Sequence, residues 1–88
     1  MYGVAVDEVG EATEGTVTFS ADGDVSVANV SYTMLTGDKA TFEVENYVYE
    51  NNTITFPDGL VEKATYTITL DKGNGMKESI SFNSPWKD

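Results

Sequence analysis

Apolar and polar residues alternate one by one in short segments along this chain, a spacing that puts successive side chains on opposite faces of a strand. The clearest run is Thr65 to Leu70, with Tyr66, Ile68 and Leu70 on one face and Thr65, Thr67 and Thr69 on the other. Thr16 to Ser20 repeats the pattern and turns Val17 and Phe19 inward. No stretch carries the 3.6-residue period of an amphipathic helix, and β-branched residues and tyrosines dominate. The pattern predicts seven strands: a weak one over 2–6, then 16–20, 25–35, 40–50, 53–56, 65–70 and 76–82. Inside the third, Val25 and Val27 are out of phase with Val30, Tyr32 and Met34, which predicts a bulge at Ala28-Asn29. In the fourth, Phe42 and Val44 keep one phase and the register shifts near Glu45-Asn46.

Turn chemistry separates the strands. Asp22-Gly23-Asp24, Thr36-Gly37-Asp38-Lys39, Asn51-Asn52 and Pro57-Asp58-Gly59 fall at the breaks. Asn74-Gly75 supplies two residues that tolerate positive φ, as a tight hairpin between the last two strands requires. Short strands with turns about every ten residues point to an antiparallel sandwich or barrel. At 88 residues the chain makes a single domain over 1–88 with a modest core.

Charge and composition narrow the chemistry. There is no cysteine, no histidine and no arginine; the basic residues are Lys39, Lys63, Lys72, Lys77 and Lys87. Thiol chemistry, a histidine base and a guanidinium grip on phosphate are therefore absent from the chain. The formal charge of −10 repels duplexes and anionic membranes, so no direct nucleic-acid contact is expected. No segment approaches the ~20 apolar residues of a membrane-spanning helix, so no membrane insertion is expected. The segment Met1 to Glu8 lacks the basic and apolar regions of a signal peptide.

Leu60 lies six residues before Tyr66, which opens the alternation Thr67-Ile68-Thr69. This Leu-x5-Tyr segment, with the strand count, resembles fibronectin type III and bacterial immunoglobulin-like modules over roughly 15–82. Phe19 stands where fibronectin type III modules commonly carry a core tryptophan, and Val61-Glu62-Lys63-Ala64 replaces their usual proline-glycine pair. Both departures favour the bacterial immunoglobulin-like module. The resemblance implies a seven-stranded antiparallel immunoglobulin-like β-sandwich, with Tyr66 as a structural corner residue. It also implies a non-catalytic spacer or adhesion unit in a surface, secreted or phage structural protein.

Three side chains are candidates for ligand contact. Tyr47 and Tyr49 share one face of a strand and Val48 takes the other, so they are either a surface platform or core; Trp86 sits beyond the last strand. No catalytic residue, cofactor or metal is expected. Calcium is the one ion the acidic turns would suit, through Asp22, Asp24, Asp71 and Asn74, although a solvated acidic surface is the simpler reading. The expected partners are a protein or carbohydrate ligand, or neighbouring modules of the same chain. Two alternatives stay open beside the module: a free-standing acidic protein that blocks a basic partner, and a small carbohydrate-binding module. The module reading implies an extracellular or cell-surface location; a native start at Met1 implies the cytoplasm.

Overall fold

The structure, a computed structural model, describes residues 4–21 and 23–85. It is all-β: β1 (Val4–Val9), β2 (Thr16–Ala21), β3 (Ser26–Met34), β4 (Thr41–Glu43), β5 (Val48–Glu50), β6 (Thr53–Thr55), β7 (Ala64–Gly73) and β8 (Met76–Asn83). They form two antiparallel four-stranded sheets, ordered β1-β2-β6-β5 and β4-β3-β7-β8.

The described strands number eight rather than the expected seven. The segment 40–50 is two strands in different sheets. The register shift near Glu45-Asn46 is where the chain leaves one sheet and crosses to the other. One continuous strand there would have kept Phe42 and Tyr49 on opposite faces; after the crossing, half-buried Tyr49 packs on the core ring of Phe19, while Phe42, 47% exposed, lies against half-buried Tyr32. The first strand lies further along than expected, and the Tyr2-Gly3 part of that expectation falls outside the described residues. Its register slips between Val6 and Glu8, so that Val4, Val6 and Val9 all pack against the core. The slip expected at Ala28-Asn29 is present between Val27 and Asn29.

The core lies between the sheets. Val17, Phe19 and Ile54 from one meet Val30, Tyr66, Ile68 and Leu70 from the other, with Phe56, Leu60 and Ala64 closing one end. Each such aliphatic side chain contributes roughly 1.5–3 kcal/mol by leaving water. A row of rings crosses the second sheet at one level: Phe42 to Tyr32 at 5.3 Å, Tyr32 to Tyr66 at 5.2 Å, Tyr66 to Phe82 at 5.5 Å. These are facing positions on adjacent strands, where aromatic pairs stabilise a sheet.

The register fixes which loops meet. Val4 pairs with Ala21 at the end that also holds the 51–52 and 74–75 turns. Asn83 pairs with Thr65 at the opposite end, with the 10–15 and 56–63 loops. There the Phe56 N–H donates to the Gly15 carbonyl at 2.7 Å and the Leu60 N–H to the Ala12 carbonyl at 2.8 Å. Gly15 (φ +64°) and Gly59 (φ +79°) permit this approach; a Cβ on Gly59 would sit 2.7 Å from the Ala12 oxygen.

Candidate functional site

Tyr66 begins the site's geometry. Its ring is buried, and its hydroxyl accepts the Val61 N–H at 2.7 Å, the backbone bond expected of a corner tyrosine. Burial raises the phenol's pKa above its usual value, the Val61 bond partly offsets this, and Tyr32 adds to the rise. Ser84, just past the end of β8, does comparable work. It is buried; its Oγ donates to the Val61 carbonyl at 2.7 Å and accepts the Ala64 N–H at 3.2 Å. Both side chains hold residues 61–64 against the start of β7. Nothing in the alternation could have singled out this serine, since it follows the last strand residue.

The tyrosine pair resolves toward the interior. Val48 is 56% exposed on the outer face, whereas Tyr47 and Tyr49 are half-buried and pack against the core. Tyr47 lies 6.3 Å from the Phe56 ring and Tyr49 6.4 Å from the Phe19 ring. The two therefore do not form one exposed platform. Tyr49 still borders an open groove of about 520 Å³ with Asp24, Asn51 and Asn52, and its hydroxyl donates to Asn52 Oδ1 at 3.0 Å. Burial raises the Tyr49 pKa, and the Asp24 carboxylate adds to the rise. Trp86 lies outside the described residues.

The acidic turns gather at the same end. Asp24 and Asp71 line a neighbouring groove of about 470 Å³, which also includes Lys72. Lys72 Nζ sits 3.2 Å from Glu78 Oε1, and Asp71 Oδ1 accepts the Gly73 N–H at 2.8 Å. Among the described residues no three carboxylates come together as a metal-binding group. Asp22 lies outside the described residues.

A third cavity, of about 260 Å³, opens beside the crossover from β4 to β5, a place the sequence reading did not mark. Buried Phe56 and Tyr66 and half-buried Tyr32 form its floor. Exposed Glu43, Glu45 and Asp58 surround it. Asn46 Nδ2 donates to Asp58 Oδ2 at 3.0 Å, tying the crossover to the 57–59 turn across the opening. The sequence signal for this cavity was the phase shift at Glu45-Asn46, which marks where the inter-sheet seam is left uncovered.

Compared with known protein families, curated proteins and solved structures, the chain matches none.

Proposed function

We propose that this chain is a non-catalytic immunoglobulin-like module, serving as an in-line spacer and binding unit of a surface, secreted or phage structural protein. The observation that carries the reading is the strand order. In chain order, β1-β2-β6-β5 against β4-β3-β7-β8 corresponds to the immunoglobulin pairing of strands A, B, E and D against C, F and G, with one added edge strand beside C. The Tyr66 hydroxyl bond at the head of β7 falls where that architecture keeps its corner tyrosine. Entry at Val4 and exit at Asn83 lie at opposite ends of the strands, the arrangement that lets modules follow one another along a line.

The non-catalytic part of the proposal rests on residue chemistry. With no histidine or cysteine in the chain, neither a Ser–His nor a Cys–His pair has both of its members here.

The test is small-angle X-ray scattering on one, two and three copies joined end to end. An in-line module lengthens the particle by about its own long dimension, 39 Å, per copy. An increment below half of that, from copies folding back on one another, would overturn the in-line role.

A further inference from the structure

We propose that the cavity beside the β4–β5 crossover receives a lysine side chain presented by a basic protein partner. The inference deepens the binding half of the proposed function and rests on that reading for its scaffold.

The chemistry of the cavity divides by depth. Its floor is apolar, built from Tyr32, Phe56 and Tyr66, with Val61 beside them. Its exposed surround carries Glu43, Glu45 and Asp58, and no lysine of the described chain lines it. A lysine has the complementary division: a four-carbon stem that packs on apolar surface and an ammonium that stays at the wet end. The volume of about 260 Å³ admits one such side chain with room for water. An ammonium's three rotatable donors suit carboxylates spread around an opening, whereas a planar guanidinium asks for one bidentate partner.

The surrounding structure favours the same occupant. Phe56 and Tyr66 are locked in the core, so the floor exists before anything binds. The Asn46 bond to Asp58 fixes one carboxylate at the opening. A formal charge of −10 draws a basic partner toward this molecule and raises its encounter rate at low salt. An anionic or neutral ligand gains neither the carboxylates nor the field.

The experiment follows backbone amide shifts by heteronuclear NMR while Nα-acetyl-lysine methylamide is added; Nα-acetyl-norleucine methylamide keeps a similar stem without the charge. Shifts should concentrate at Tyr32, 43–46 and 58–61 with the lysine compound and be much smaller with norleucine. Glu45→Gln with Asp58→Asn should weaken the response roughly fivefold, as two ion pairs at a wet opening would. Asp7→Asn with Glu8→Gln removes the same charge elsewhere and should leave it unchanged. Shifts spread evenly over the acidic surface, or an equal loss in both double variants, would overturn the proposal. An unchanged spectrum of each variant before titration shows that the sandwich is intact, and the scattering of joined copies judges the in-line role separately.

Discussion

Replacing Tyr66 by phenylalanine keeps the ring in its row and removes only the hydroxyl that accepts the Val61 N–H. Tyr66→Phe should cost about 1–2 kcal/mol in urea unfolding. The pH dependence has a definite sign. The folded phenol's pKa lies above its ordinary 10.0, so the unfolded chain loses this proton first. Stability from this group is full below pH 10 and falls as pH rises through the folded value. The gap between wild type and Tyr66→Phe should therefore narrow in alkali. Ser84→Ala strands the buried Ala64 N–H and the Val61 carbonyl together, with an expected loss of about 1–3 kcal/mol by the same measurement. Tyr66 was legible through its spacing from Leu60 and the module resemblance that this spacing carries. Ser84 was not, because a serine after a strand looks the same whether it is buried or solvated.

At the scale of elements, the crossover and the turns carry the predictions. Val48 points outward, so Val48→Thr should change stability by less than about 0.5 kcal/mol, while Tyr47→Ala should cost about 2 kcal/mol through lost packing on Phe56. The reverse result would restore a single continuous strand over 40–50. Two glycines with similar φ separate conformation from space. Gly75 (φ +77°) has open space around its would-be Cβ, so Gly75→Ala should cost about 1–2 kcal/mol from backbone preference alone. Gly59 (φ +79°) faces the Ala12 carbonyl, so Gly59→Ala should cost more than about 3 kcal/mol. Thermal or urea unfolding of both variants decides the comparison. Period-two alternation found β2, β3, β7 and β8, and Asn74-Gly75 found their hairpin. It could not divide 40–50, because alternation fixes which face a residue takes and not which sheet the strand joins. Beyond the phase shift at Glu45-Asn46 the cavity was hidden for the same reason: it exists only where two sheets and a crossing segment meet.

For the molecule as a whole, the formal charge is −10 and most described carboxylates lie exposed to solvent, where they repel one another. Moderate sodium chloride should therefore raise the unfolding midpoint and weaken any contact with a basic partner. The β-sandwich itself follows from the two packed sheets, and the proposed in-line use rests on the register that sends Val4 and Asn83 to opposite ends. That geometry is directly measurable because the chain contains no cysteine to compete for a label. Ala5→Cys with Asn83→Cys places two nitroxides at exposed sites on β1 and β8. Pulsed dipolar electron paramagnetic resonance should give one narrow distance distribution at about 20–30 Å, the span of most of a strand at ~3.4 Å per residue. A distribution centred below about 15 Å would put entry and exit at the same end and contradict the in-line module.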